Sequence, residues 1–353
     1  MKKTLSIIAL SAAVLCSCDK DDDCIPCQQE TRTGTLNISL DFEDAPATRA
    51  TTSYVTAQAY ETKVNDVQVL VFDEKGALNA YVDADAQTSG ISINSIYGEK
   101  TIWAVVNGPD VSTITTLSDL KKVTVNLGTN NSLTETKGFV MTGSTTCSLN
   151  AGTATASIAV KRLVSRIALV KVNNSLPASY GSLNVLNVTL INVVGNQNLN
   201  GSASISTWYN KMGRKDGATA TGQIIDGSTY VASHPTLTFK SVGTSVANGA
   251  SLTPTTPYLF YCYPNSTTTD ATGWSSSFTA RKTRLVVAAT IGGTKYYYPV
   301  VIDTPARNTA YTVELTITGL GSTDPDKPVQ KGSITASVTV EGWASGAVYN
   351  ETI

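Results

Sequence analysis

Residues 36–42 read Leu-Asn-Ile-Ser-Leu-Asp-Phe, so that Leu36, Ile38, Leu40 and Phe42 are apolar and Asn37, Ser39 and Asp41 between them are polar. A period of two is what a half-buried β-strand demands, because successive side chains point to opposite faces of a sheet. The pattern returns along the chain, and helical periodicity is weak everywhere. Val67, Val69 and Val71 alternate and lead into Phe72; Asp73-Glu74-Lys75-Gly76 is a turn, and Leu78 to Val82 pairs back as a hairpin. Thr101 to Asn107 is a nearly continuous apolar run, as a central sandwich strand needs, and Gly108-Pro109 ends it. Val123 to Leu127 and Ser157 to Val160 alternate again, Ile167 to Val172 is a further strand, and Asn173-Asn174-Ser175-Leu176-Pro177 reads as a link.

Beyond that link the style repeats. Val185 to Val194, Tyr258 to Tyr263, Leu285 to Ile291, Tyr296 to Ile302, Tyr311 to Thr318 and Ile334 to Val340 are strand-like. Gly292-Gly293 makes a hairpin turn, and Pro264-Asn265 stops a strand. Turn signals about every ten residues indicate an all-β chain of two tandem β-sandwich domains with few short helices. The expected domains are 50–172 and 173–353. Composition agrees with an exported all-β protein: charged residues are 15%, against about 25% in typical soluble domains. A net charge of −1 gives no electrostatic capture of nucleic acid. Cys147 and Cys262 fall in different expected domains, so two separate buried thiols are favoured over a disulfide.

The N-terminus carries targeting information. Lys2 and Lys3 form a basic n-region, and Leu5 to Leu15 is an apolar stretch too short to span a bilayer as a mature helix. Leu15-Cys16-Ser17-Cys18 follows and resembles a bacterial lipobox, with Cys18 as the acylated residue because small Ser17 precedes it. Residues 1–18 are thus read as a lipoprotein signal, and membrane attachment comes only from lipid at Cys18. Residues 19–49 are an acidic linker, beginning Asp19-Lys20-Asp21-Asp22-Asp23, followed by the strand Leu36 to Phe42. Cys24-Ile25-Pro26-Cys27 lies in this linker without two further ligands nearby, so it is not read as a metal site. The linker ends at Ala47-Thr48-Arg49-Ala50. Cutting between Arg49 and Ala50 would take a strand out of a sheet and leave a groove with unpaired edges, where another chain can add its own strand.

Taken in order and spacing, the motifs resemble the fimbrial subunits (FimA/Mfa-type fimbrillins) of Bacteroidetes type V pili, over nearly the whole chain. They are the lipobox at Cys18, Gly34 to Phe42 followed by Thr48-Arg49-Ala50, Val69 to Gly76, Lys100 to Asn107 and Val140-Met141-Thr142-Gly143. Val160 to Arg166, Tyr261 to Asn265, Arg307 to Tyr311, Gly319-Leu320-Gly321-Ser322 with Asp324-Pro325, and Trp343 complete the set. The Lys-Asp-Asp-like run after Cys18 is similar to the surface-export signal of lipoproteins from that phylum. The resemblance implies a precursor of two transthyretin-like or Greek-key β-sandwich domains, cut after Arg49 by an arginine-specific surface protease of gingipain type. It implies that Leu36, Ile38, Leu40 and Phe42 are then lost, and that a C-terminal strand of a neighbouring subunit fills the groove. In this chain that donor is Ile334, Ala336, Val338 and Val340, which alternate with polar residues in the same way. Val348 to Ile353 is a second candidate or a continuation of the donor. Burying four apolar side chains contributes roughly 6–12 kcal/mol as an upper estimate before ordering costs. The tethered strand has the higher effective concentration, so cleavage is the expected trigger for exchange.

The implied partners are neighbouring fimbrial subunits, the protease, the outer membrane through the precursor's lipid, and an adhesion receptor on host or bacterial cells; no cofactor is implied. An enzyme is disfavoured: His234 is the only histidine, and it sits before Pro235 in a loop-like stretch. Trp103, Trp208, Trp274 and Trp343 are more often core or interface than a sugar platform. The rival is a non-polymerising surface lipoprotein, either a fimbrial anchor or tip or a glycan- or host-ligand-binding protein. An anchor would keep its N-terminal strand, which the Thr48-Arg49-Ala50 site argues against.

Overall fold

The computed structural model describes residues 32–42, 55, 57–202, 205–212, 236–268, 278–329, 333–342 and 349–352. In chain order the elements are β1 (Thr33–Phe42), α1 (Ala59–Thr62), β2 (Val67–Phe72), β3 (Leu78–Asp83), β4 (Ile91–Ile96), β5 (Gly98–Val106), α2 (Leu117–Lys122), β6 (Thr124–Asn126), α3 (Leu127–Asn130), β7 (Met141–Leu149) and β8 (Thr153–Arg162). They continue with β9 (Ser165–Asn174), β10 (Leu183–Ile191), β11 (Val193–Val194), β12 (Asn196–Asn198), β13 (Trp208–Tyr209), β14 (Phe239–Val246), β15 (Ser251–Leu252), β16 (Tyr258–Cys262), β17 (Arg284–Ile291), β18 (Thr294–Val301), β19 (Thr309–Ile317), β20 (Ile334–Gly342) and β21 (Tyr349–Thr352). The chain is mostly β, with few short helices, and gathers into two units.

The first unit takes Met1–Phe42, Val64–Val123 and Met141–Val160. Its seven strands run in the order β3-β2-β5-β7-β8-β1-β4. As the apolar run Thr101 to Asn107 requires, β5 is central, antiparallel to both β2 and β7. One core joins inward residues of every strand, among them Leu36, Ile38, Val69, Ile91, Ile102, Met141 and Ile158. Asn107 turns the chain at a φ of 53° just before Gly108-Pro109, a left-handed conformation that asparagine tolerates better than most residues.

The second unit takes Glu43–Lys63, Thr124–Val140 and Lys161–Ile353. It holds a four-stranded sheet, β14-β10-β17-β18, and a second sheet in which β9, β19, β20 and β21 follow in order, with β15 and β16 on β9. The β17–β18 hairpin turns through Gly292 and Gly293 at φ of 57° and 84°, the two positive values a type I′ turn needs. Strand β9, whose segment Ile167 to Val172 was expected in the first domain, pairs with β16 and β19 and so belongs here. The run Val185 to Val194 is not one strand: Asn192, at a φ of 55°, breaks it into β10 and β11. Likewise Val123 to Leu127 shortens to β6, because the Asn126 side chain accepts from the backbone of Gly128 and Thr129 and starts α3. Among the described residues, no helix is long and apolar enough to cross a membrane.

Candidate functional site

The expected removable strand is an interior strand of the first unit. β1 lies between two neighbours, antiparallel to β4 from Thr33↔Ile96 to Ile38↔Ile91 and parallel to β8 from Thr35↔Thr153 to Phe42↔Val160. Its inward face buries Leu36 (0% exposed), Ile38 (1%) and Leu40 (9%), and Phe42 packs half-buried against the same core. On the outward face, Thr35 donates to Asn94 at 3.0 Å and Ser92 donates to Asn37 at 2.6 Å. Thus β1 fills a slot walled by the edges of β4 and β8 and floored by apolar side chains. Taking it away would leave backbone groups on both walls without partners and open the core to water.

At its start the slot leaves no room for a side chain. A Cβ on Gly34 would stand 2.6 Å from the carbonyl oxygen of Gly152, 2.9 Å from the Tyr97 ring and 3.1 Å from Leu149. The Gly152 carbonyl accepts from the Thr35 backbone N–H at 2.8 Å, and the Gly152 N–H donates to the Tyr97 hydroxyl at 3.1 Å. Neither β4 nor this glycine pocket was expected from sequence. The alternation Ile91-Ser92-Ile93-Asn94-Ser95-Ile96 between Gly90 and Gly98 carries the signal for β4.

Downstream of β1, the chain is held in the second unit by a separate anchor. Val55 is buried with Ala168 and Val170, and Arg166 donates to its carbonyl at 3.3 Å. Glu61, fully buried in α1, meets Arg166 at 3.0 Å and accepts from the Tyr261 hydroxyl at 2.5 Å; Arg162 donates to its carbonyl at 2.7 Å. Burial pushes the Tyr261 phenol above its ordinary range, and the Glu61 carboxylate pushes the same way, so Tyr261 stays a neutral donor.

The C-terminal candidates sit in the second unit. Ile334, Ala336, Val338 and Val340 lie on β20, opposite Ile317, Leu315, Val313 and Tyr311 of β19. Ala336 and Val338 are buried, while Ile334 and Val340 are half-buried. The loop leading to β20 is strapped to the other sheet. Ser322 and Tyr297 exchange backbone hydrogen bonds at 2.8 and 2.9 Å, and Tyr298 donates to the Gly319 carbonyl at 3.2 Å. Asp326, 3% exposed, contacts Arg281, meets Arg284 at 2.6 Å and accepts from Asn192 at 2.9 Å. Burial pushes the Asp326 carboxyl up, and Arg284 and Arg281 pull it back.

Cys18, Arg49, Ala50, Val348 and Ile353 lie outside the described residues, as do His234, Trp274 and Trp343. Cys147 and Cys262 are both free thiols; Cys262 is buried, whereas Cys147 is only half-buried, because it lies on a hairpin strand of alternating exposure.

Residues 34–208 match the family model of the major fimbrial subunit protein (FimA). A fimbrilin (FimA) from Porphyromonas gingivalis W83 matches at 14% identity with a TM-score of 0.59, over 90% of this chain and 98% of that one. A candidate cell adhesion protein from Bacteroides eggerthii DSM 20697 matches at 21% identity and 0.58, over 91% and 98%. Another from Parabacteroides distasonis ATCC 8503 matches at 15% and 0.60, over 89% and 97%. At such identities the likeness establishes a common fold. Comparison with curated proteins finds no match. Residues 34–208 thus match the FimA major fimbrial subunit family, whose members are structural proteins and not enzymes, and the chain shares its fold with solved fimbrial proteins.

Proposed function

We propose that this chain is a structural subunit of a cell-surface fimbrium that contributes to adhesion. It is exported as a lipoprotein acylated at Cys18, cut after Arg49 by an arginine-specific surface protease, and polymerised by strand donation. The carrying observation is that β1 is paired on both sides and buries three core residues, while its covalent link to the rest of the fold runs through the segment containing Arg49. A cut there turns an interior strand into a non-covalent plug. The walls β4 and β8 are then open to a strand from a second copy, and β20 has the required alternation. Val55 and Glu61 keep the new N-terminal segment docked after the cut.

Packing alone does not favour exchange, since Ala336 and Val338 are smaller than Ile38 and Leu40. The intact precursor also keeps β1 at high effective concentration. Proteolysis removes that advantage, which makes the cut the switch for assembly. The test is Arg49→Ala in the full precursor. Expected are surface-attached monomers that retain β1; fibres at the wild-type yield would contradict the proposal.

One observation favours a second reading. β20 is paired with β19 over Thr309↔Gly342 to Ile317↔Ile334, and with β21 on its other side. A tip or anchor subunit, or a non-polymerising surface lipoprotein that binds glycan or a host ligand, would keep it there. Finding the chain on cells but never along fibre shafts would select that reading.

A further inference from the structure

We propose that the slot has a glycine-only position at Gly34, and that Gly332 of a second copy takes it, setting both the register and the direction of the incoming strand. This rests on the strand-donation reading above. The pocket is closed by backbone. The atom closest to a Cβ at position 34 is a backbone oxygen, 2.6 Å away. That oxygen is held by the Thr35 N–H, and its own residue is held by Tyr97. A flexible side chain could yield to a methyl group, but this carbonyl cannot move without breaking the pairing that seats the strand. An occupant therefore needs glycine there and a free N–H on the next residue.

In β1 the glycine comes two residues before the first core side chain, on the same face of the strand: Gly34 then Leu36. In the C-terminal segment Gly332 precedes Ile334 by the same interval, and Ser333 supplies the N–H. With Gly332 in the place of Gly34, the residues Ile334, Ala336, Val338 and Val340 take the places of Leu36, Ile38, Leu40 and Phe42. A slip by two residues either way puts Gln330 or Ile334 against the Gly152 carbonyl. A slip by one turns the apolar row outward. Gly342 offers a glycine for a strand running the opposite way. That arrangement would reverse the pairing with both walls, which β1 meets antiparallel on β4 and parallel on β8. The direction of β1 is therefore assigned to the donor.

The register makes a specific contact testable. Asn37 stands opposite Ser92 on the outward face. Thr335 of the donor takes the place of Asn37, so Thr335→Cys combined with Ser92→Cys in the full chain should give disulfide-linked ladders when fibres form from cleaved subunits. Thr339→Cys with Ser92→Cys, the pair expected of a reversed strand, should not. Independently, Gly332→Val should give precursor that melts and is cleaved like wild type, yet yields no fibres. Ladders from the Thr339 pair alone, or fibres at full yield from Gly332→Val, would overturn the register. Absence of fibres from cleaved wild-type chain would overturn strand donation itself, and the register with it.

Discussion

Single residues carry much of the account. Gly34 is required because a side chain has no room beside a fixed carbonyl, so Gly34→Val should destabilise the precursor by about 1–3 kcal/mol in urea titrations. Glu61 anchors the segment that follows the proposed cut site. Glu61→Ala removes the carboxylate that meets Arg166 and Tyr261, and should cost about 3–5 kcal/mol, as breaking a buried pair does. An effect under about 1 kcal/mol, the range of surface pairs, would show the anchor to be dispensable. Burial pushes the Cys262 thiol up to about 12. The folded state therefore favours the neutral thiol, and stability falls as pH climbs from the ordinary thiol value of about 8.5 towards that raised value. Iodoacetamide at mildly alkaline pH should label Cys262 only after unfolding. The buried thiol at Cys262 was expected from sequence and is found, whereas the environments of Gly34 and Glu61 were not legible, because each is made by residues far apart in the chain.

Elements were more legible, for a physical reason. The strand 36–42 shows a period of two because one face is buried and the other is not, and β1 has that pattern of exposure. β4 carries the same alternation in six residues, with only Ile91 and Ile93 apolar on its buried face. The breaks between β10 and β11, and between β6 and α3, were hidden because they depend on what Asn192 and Asn126 do with their backbones and side chains. β1 also permits a prediction that separates precursor from product. Leu36→Ala should destabilise the uncut precursor by about 2–5 kcal/mol, the usual cost of emptying a buried leucine site. The same substitution should leave the stability of assembled fibres unchanged, because the proposed cut after Arg49 removes the residue from them. An equal loss in both would mean that β1 stays in the fibre.

At the scale of the whole molecule, the sequence implied two β-sandwich domains, and the chain forms two β units. The second unit is interleaved in sequence, since residues 43–63 and 124–140 join it. Alternation reports which face of a strand is buried, not which sheet the strand joins, so this interleaving could not be read from periodicity. It bears on function: β1 belongs to one unit and the segment after it to the other, each held by its own contacts. A cut between them need not unfold either. In the proposed assembly the mature subunit begins after Arg49, with β1 gone. The direct measurement is the N-terminal residue of this protein in fibres sheared from cells, by mass spectrometry. A start at Ala50 is expected; an acylated start at Cys18 with Leu36 to Phe42 intact would contradict strand donation.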